Sequence, residues 1–444
     1  MLKLPQDVST ALSLLRRAGF RAYPVGGCVR DALLGQEPQD WDLCTDATPE
    51  EMHRAFAGCQ TEDTGARLGT VTLLLSPDRP LEITSFRTES DYSDSRHPDG
   101  VTFTRSLEAD LARRDFTVNA MAWDTERNTV IDPFGGKGDL EEKLLRCVGD
   151  PALRFSQDAL RILRGMRFRA KPGFEIEKNT FAAMLEKKAL LHRISPERAV
   201  RELNGLLTAE APGDTLLKCK ELLFELMPAL RATDGCPQHS PYHDRDVWRH
   251  TALAVDNAKP ELTLRWAALL HDIGKPACHM RDAKGIDHFT GHQETGAQMA
   301  EALLKELKMP ASLINRVTLL VREHDTLLAD RDVWPLLARL GSEAFDQLLR
   351  LKHADLMAHA EWVRPRVKEL PLRAALKERI LKEGRPLSVG QLALDGNDLQ
   401  SMGFRGRQIG AVLEKLFSRV LRQQLGWDRA SLLKAAEAEL SARE

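Results

Sequence analysis

The sequence predicts an α+β chain: a small N-terminal head with a mixed sheet, followed by an all-helical remainder. Three observations carry this. Nearly all of the strand-like signal falls between Arg21 and Phe86. From Leu140 onward the apolar residues recur at helical spacing. The chain has 444 residues, too many for one core, so about two to four units are expected. The expected division is a head at 1–138, a helical neck at 139–206, a helical body at 207–384 and a helical tail at 385–444.

Composition narrows the function. Hydrophobic residues make up 43% and charged residues 29%, ordinary for a soluble globular protein. A net charge of −2 excludes a globally basic nucleic-acid binder, so any RNA contact must come from local basic patches. Seven scattered cysteines without a C-x-x-C pair read as a reduced, cytoplasmic protein, not a disulfide framework. No apolar run approaches a membrane span and the N-terminus lacks a signal-peptide core, so no membrane association is expected. Composition says nothing of oligomeric state.

In chain order, residues 6–19 form an amphipathic helix ending at Gly19. Strands are expected at Arg21–Val25, Asp42–Thr45, Gly69–Leu75 and Leu81–Phe86, alternating with helices at Val29–Leu34 and Pro49–Phe56. Within this unit Gly26 and Gly27 break a strand before a helix, and Asp40 and Asp42 follow at i and i+2. On a strand that spacing puts both carboxylates on one face. Two hard oxygen ligands aimed at one point suit Mg²⁺, commonly held by one or two carboxylates plus substrate phosphates. The glycines allow close backbone approach to a phosphate. Together these features point to metal-dependent phosphoryl or nucleotidyl transfer. Paired surface aspartates alone are more often solvated turn residues. Glu82, in the last strand, is a candidate third carboxylate or a solvated strand residue.

Gly-Gly-x-Val-Arg-Asp followed by Asp-x-Asp resembles the signature of the transfer-RNA nucleotidyltransferases and bacterial poly(A) polymerases, in class II of the polymerase-β superfamily. The polar stretch 87–101 reads as a long loop, and a loop of that length is commonly functional. In the resembling family a loop here is associated with the final A addition and is shortened in enzymes that add only CC; its full length disfavours a CC-only enzyme. Arg113-Arg114-Asp115 and Asn119 match the family's second motif. The resemblance implies that Arg114 contacts the nucleotide and that Asp115 and Asn119 position its ribose. A buried Asn with structural partners is the plain alternative. Asp132 and Asp139 match a hinge and read as structural.

Ser156 to Arg169 reads as helical, with Asp158 and Arg161 stacked at i, i+3. An intrahelical ion pair is the plain reading. The sharper reading is chemical. Cytosine and adenine both set an exocyclic amino donor beside a ring-nitrogen acceptor. A carboxylate accepts the former and an arginine donates to the latter, so the pair can select C and A without a template. Arg164 and Arg167 continue the face toward a triphosphate, joining Gly26, Gly27 and Arg30. This matches the family's Glu-Asp-x-x-Arg motif, except that Gln157 stands where the family usually has Glu, a departure that bears on the orientation of Arg161. At Ser195-Pro196, with Arg198 and Glu202 at i, i+4, a capped supporting helix is expected.

A second constellation follows: His250, His271-Asp272, His292, His324 and Asp355. One histidine on an apolar helix is usually a core residue, but this ordered set suits a transition metal or Mg²⁺ that activates water. The order resembles the HD phosphohydrolase superfamily. By that resemblance His250, His271, Asp272 and Asp355 form the core metal set, and His292 and His324 favour a second metal. Lys275 could meet a phosphate. The basic run from Arg364 to Arg385 reads as a solvated helix face. Residues 395–410 read as helix, glycine turn, helix, with Arg405 and Arg407 placed to bind a phosphate backbone; the family's tail grips transfer RNA with this pattern. The reading is therefore template-independent addition of CCA to tRNA from CTP and ATP, with a hydrolytic second site. An A-only adding enzyme or a poly(A) polymerase, and, in another class, an HD phosphohydrolase with RNA-binding flanks, stay open.

Overall fold

The computed structural model describes residues 2–65, 68–76, 79–89, 100–171 and 173–441. It contains two compact units, Met1–Pro228 and Ala229–Glu444, each taken by itself below.

The first unit is α+β. Its helices are α1 (Gln6–Arg17), α2 (Gly27–Leu33), α3 (Pro49–Ala55), α4 (Leu107–Ala112), α5 (Gly136–Glu141), α6 (Pro151–Gln157), α7 (Leu160–Arg169), α8 (Lys178–Glu186), α9 (Pro196–Leu207), α10 (Pro212–Lys218) and α11 (Lys220–Leu226). Strands β1 (Ala22–Pro24), β2 (Asp42–Thr45), β3 (Gln60–Gly65), β4 (Thr70–Ser76) and β5 (Arg79–Ser85) form one mixed sheet, ordered β1-β2-β5-β4-β3. Within this sheet β2 and β5 pair in parallel and the other described neighbours antiparallel. The core face follows the strand period: Val71, Leu73, Leu81 and Ile83 are fully buried. On α1, Val8, Ala11, Leu12 and Leu15 repeat at helical spacing and are buried, and α1 and α3 lie against β4. The strand β3 escaped the sequence reading because its residues, QTEDTG, carry no apolar alternation. Two further hairpins also lacked a signal: β6 (Arg87–Glu89) with β7 (Val101–Phe103), and β8 (Ala122–Asp124) with β9 (Thr129–Ile131). Each strand has three residues, too few to show a period. Most of the expected loop 87–101 lies outside the described residues.

The expected helix from Ser156 to Arg169 needs correction. It is two helices, and Asp158 sits between them in extended conformation (φ −141°, ψ 105°).

The second unit is helical apart from one two-residue ladder at Met280–Arg281 and Asp287–His288. Its helices are α12 (Val247–Asn257), α13 (Leu262–Leu270), α14 (His292–Glu306), α15 (Ala311–Glu323), α16 (Asp330–Leu340), α17 (Ser342–Ala358), α18 (Leu370–Lys382), α19 (Gly396–Ser401), α20 (Arg407–Leu421) and α21 (Arg429–Ser441). Helices α12, α13, α15 and α17 pack on one another, and α14 packs on α15. Trp248, Trp266, Leu320 and Phe345 are fully buried. The basic run is not simply a solvated face. Lys377 is buried and pairs with Asp346 Oδ2 at 2.7 Å. Arg385 lies 5.0 Å from the Trp334 ring centre and 4.9 Å from that of Trp427. Among the described residues no helix is long and apolar enough to cross a membrane.

Candidate active site and metal centre

In the first unit the site grows from the start of β2, inside the sheet. Gly26 takes φ 77°, ψ −125° between β1 and α2, and a Cβ there would stand 3.1 Å from Arg114 Nη1. Only glycine fits that position. Asp42 opens β2 opposite Glu82 in the parallel register, and both are exposed while Leu43 and Ile83 point inward. The three carboxylates thus comprise two neighbours across the sheet and Asp40, exposed two residues upstream. Partial desolvation raises the Asp42 pKa; Arg114 opposes this, Asp40 adds to it, and Arg164 opposes it. Like charges held this close fit a bound cation, which removes their repulsion.

Behind the carboxylates runs a chain of charged groups. Arg30 Nη1 donates to Asn119 Oδ1 at 2.5 Å, and Asn119 Nδ2 donates to Asp115 Oδ1 at 3.1 Å. Arg164 Nε donates to Asp115 Oδ2 at 2.6 Å. Burial pushes the Asp115 pKa up, but Arg164 and hydrogen bonds from Asn119 and the Phe116 amide outweigh it and hold it at about 2. Arg114 pairs with buried Asp110 at 3.2 Å, and its own Nε is buried without a partner. Phe168, which the sequence did not single out, ties the group together. Arg30, Arg164 and Arg167 lie over its ring at 5.0, 5.4 and 4.5 Å. An aromatic face orients such cations.

Asp158 and Arg161 do not form the intrahelical pair that their spacing allows. Asp158 Oδ1 accepts from the Leu160 amide at 3.1 Å, and its Oδ2 accepts from Arg198 at 3.2 Å. Arg161 Nη2 donates to the Arg113 carbonyl at 2.8 Å, leaving a buried Nη1 without a partner. The expected Arg198–Glu202 pair is likewise replaced: Glu202 accepts from Arg167 Nε at 2.6 Å. Helix α9 therefore lends its charges to α7 and to the break before it. Gln157 Oε1 accepts from Arg154 Nη1 at 2.8 Å, not from Arg161.

In the second unit all six metal-type residues of the sequence reading converge. His250 lies on α12, His271-Asp272 end α13, His292 starts α14, His324 ends α15 and Asp355 lies on α17. Gly274 permits this. A Cβ there would meet the His292 carbonyl at 2.3 Å and the Gly296 amide at 2.5 Å, so only glycine lets the turn after α13 touch α14. His250 Nε2 stands 2.9 Å from Asp355 Oδ1, 3.3 Å from His271 Nε2 and 3.7 Å from Asp272 Oδ2. The other oxygen of Asp272 faces a second set: His292 Nε2 and His324 Nε2, each at 3.5 Å and 3.2 Å from each other. One carboxylate thus bridges two ligand clusters.

The imidazole orientations say what belongs there. Nδ1 of His271, His292 and His324 faces the carbonyls of Ala268, Phe289 and Val321 at 2.7, 2.8 and 2.7 Å. A carbonyl only accepts, so Nδ1 carries the proton and Nε2 turns a lone pair inward. Buried Asp272 has the Lys275 ammonium 2.7 Å from Oδ2, and its two oxygens otherwise face the imidazole nitrogens. Converging imidazoles and carboxylates in a buried site are groups that could hold a metal ion.

Sequence reasoning missed three nearby residues. His243 and His359 form a further imidazole group with His250, and Gln238 Oε1 accepts from Lys275 at 2.7 Å. They come from loops, where no period marks them. In the tail, Arg405 and Arg407 flank the turn into α20 and are exposed. Arg405 Nη1 donates to the Gln400 and Phe404 carbonyls at 2.6 and 3.0 Å.

Residues 22–146 match the Poly A polymerase head domain family, 173–232 the family described as a probable RNA and SrmB-binding site of polymerase A, and 242–358 the HD domain family. A CCA-adding enzyme of Limosilactobacillus fermentum is 36% identical over 444 residues, spanning 99% of each chain. The chain belongs to the CCA-adding enzyme family. A relative in Streptococcus mutans, also a CCA-adding enzyme, is 50% identical over 274 residues, covering 60% of this chain and 64% of its own. The crystal structure of the Bacillus stearothermophilus CCA-adding enzyme in complex with CTP superposes with a TM-score of 0.72 at 26% identity, covering 99% of this chain and 98% of that one. The Thermotoga maritima CCA-adding enzyme complexed with tRNA shares the fold, with a TM-score of 0.62 at 20% identity over 99% and 97% of the two chains.

Proposed function

We propose that this chain adds CCA to the 3′ end of tRNA from CTP and ATP without a template, in the reducing cytoplasm, and that its HD site is a separate metal-dependent phosphohydrolase. The observation that carries the first part is the conjunction, in one unit, of Asp40, Asp42 and Glu82 with an arginine whose buried Nη1 is unpartnered, Arg161. That free donor fits the ring nitrogen of C or A, while Asp158, fixed by Arg198, accepts the amino group. Arg30, Arg114, Arg164 and Arg167 bind sugar and phosphates together with the backbone at Gly26 and Gly27. Asp115 and Asn119 hold Arg30 and Arg164 in register and position the ribose with their remaining lone pairs. The chemistry supplied at Asp40 and Asp42 by two bound Mg²⁺ ions is activation of the RNA 3′-hydroxyl and neutralisation of the triphosphate and departing pyrophosphate. In the tail, Arg405 and Arg407 hold the tRNA backbone without reading bases. At the HD site His250, His271, Asp272 and Asp355 would hold one divalent metal, and Asp272, His292 and His324 a second, where the chemistry supplied is activation of water.

The test is incorporation on three tRNAs, lacking CCA, ending in C and ending in CC, each offered CTP, ATP or both. Two C additions, one A and then a stop are expected. Addition of A to the CC-ended RNA alone, or a long A tail, overturns the reading in favour of an A-adding enzyme or a poly(A) polymerase. No incorporation with any RNA leaves the HD site as the seat of activity.

A further inference from the structure

Phe168 lies in the middle of the arginine cluster of the first unit and is buried. The three guanidiniums over its ring come from α2 (Arg30) and from its own helix (Arg164 and Arg167). The ring is itself held, since Phe116 meets it edge to face at 5.9 Å and 85°. Helix α9, which packs on α7, makes room for the group. A Cβ at Gly205 would stand 2.5 Å from Arg167 Cδ, so glycine there leaves the Arg167 stem its path. The polar ends follow one plan. Arg164 and Arg167 each bind a carboxylate through Nε, of Asp115 and of Glu202, both at 2.6 Å. That leaves their Nη groups for a ligand, and the two side chains are 34% and 29% exposed. Arg30 is tied at Nη1 to Asn119 and at Nε to Asp31, and adds its charge from behind. Three cations this close repel one another. A ring face, which is negative at its centre, offsets part of the repulsion and fixes where each cation lies.

We infer that Phe168 is a positioning residue: its ring face fans the Nη groups of Arg164 and Arg167 toward one polyphosphate chain, and so makes the site select nucleoside triphosphates over monophosphates. A triphosphate can occupy both guanidinium edges at once and discharge the cluster. A monophosphate reaches one edge and leaves the repulsion of the others in place. The ring acts here by the charge of its face and not by volume alone, and Gly205 serves the same fan from the opposite side. The inference rests on the nucleotidyltransferase reading above and deepens it.

The experiment uses the full chain with Mg²⁺ and a tRNA ending in CC. The kcat and the KM values for ATP and for tRNA are measured in wild type, Phe168→Leu and Gly205→Ala. They are also measured in chains whose residue 168 is phenylalanine with an increasingly fluorinated ring, which keeps its shape and loses the negative face. The KM for ATP is expected to rise stepwise with fluorination and about 10-fold in Phe168→Leu, with kcat and the KM for tRNA within about twofold of wild type. Gly205→Ala leaves the ring intact and favours the helix. It should raise the KM for ATP several-fold without lowering the melting temperature, which no loss of folding can do. A KM that ignores fluorination makes the ring a filler and overturns the inference, as does an equal change in kcat and both KM values. Calorimetry keeps the two readings apart. The ratio of ATP affinity to AMP affinity should fall about 10-fold in Phe168→Leu and stepwise with fluorination. If wild type adds no nucleotide, the nucleotidyltransferase reading fails, and the fan stands or falls on that ratio.

Discussion

The carboxylates of the two units are set in opposite surroundings. Asp40 and Asp42 stand exposed at the start of β2, with Glu82 across the ladder and arginines behind. Asp272 is 1% exposed and meets imidazoles on both of its oxygens. On the proposed reading the first arrangement is incomplete: phosphates of the substrate would supply the remaining oxygen ligands of a bound ion. The second is a nearly closed set of protein ligands. On that reading the exposed carboxylates would carry reactivity and little stability, whereas the buried, converging acceptors would tie stability to a metal.

The largest expected effect breaks the first half of that comparison. Asp42→Ala should lower nucleotide incorporation by about 10³-fold or more, while the melting curve stays close to that of wild type, because an exposed strand residue is lost. Normal incorporation by this variant removes the metal assignment. Next, divalent metal at about 100 times its dissociation constant should stabilise the second unit by about 2.7 kcal/mol, or roughly 5–10 °C in melting temperature. Asp272→Asn should abolish this shift and leave CCA addition intact. A metal shift that survives the substitution disproves the bridging role.

A smaller effect concerns acid. The folded pKa of Asp115, about 2, lies below the ordinary carboxylate value. Its ionised form therefore stabilises the fold in full above about pH 4, and that contribution of about 2 kcal/mol is lost as pH falls through 2. Denaturant melts of wild type and Asp115→Asn should converge between pH 5 and pH 2; a constant gap would mean that Asp115 contributes by shape and not by charge. Asp158→Asn sits lower still on stability and acts on selection. It should narrow the preference for CTP and ATP over UTP and GTP by about 10-fold, since one accepting oxygen becomes a donor. Unchanged selectivity would move base reading away from this residue.

What could be read from the sequence follows the same division. The string His271-Asp272-Ile273-Gly274-Lys275 is legible because two ligand types and the glycine that lets them converge lie side by side in the chain, and Asp40 and Asp42 because they stand two residues apart. The helix expected at 6–19 and the strand expected at 81–86, which form at 6–17 and 79–85, are legible because burial imposes a period. The break at Asp158 is not, since nothing between Ser156 and Arg161 forbids a helix; Arg198, 40 residues away, supplies the partner that holds Asp158 outside one. The exchange of partners among Arg167, Arg198 and Glu202 is hidden for the same reason. Helical spacing names possible pairs, and packing of α7 on α9 chooses between them. His243, His359 and Gln238 sit in loops and are found only by where the loops go.

The smallest expected effect tests a point on which sequence and structure part. Gln157 stands where the family resemblance implies Glu, directly before the proposed base-reading pair, and the sequence alone suggests that Arg161 loses an anchor. The geometry puts the consequence elsewhere. Gln157 holds Arg154, and Arg154 donates to the Ala112 carbonyl at 2.7 Å and the Val148 carbonyl at 3.3 Å. Arg161 is anchored one residue along, on the Arg113 carbonyl. Gln157 thus acts on the backbone that orients Arg161, not on Arg161 itself, and a neutral amide accepts from Arg154 as a carboxylate does. Gln157→Glu should strengthen that one bond, stabilise the fold by less than about 1 kcal/mol, and leave the order C, C, A unchanged on a tRNA lacking CCA. A change in the ratio of C to A incorporation beyond about threefold would show that the charge at this position reaches the base through Arg154 and the 112–113 backbone.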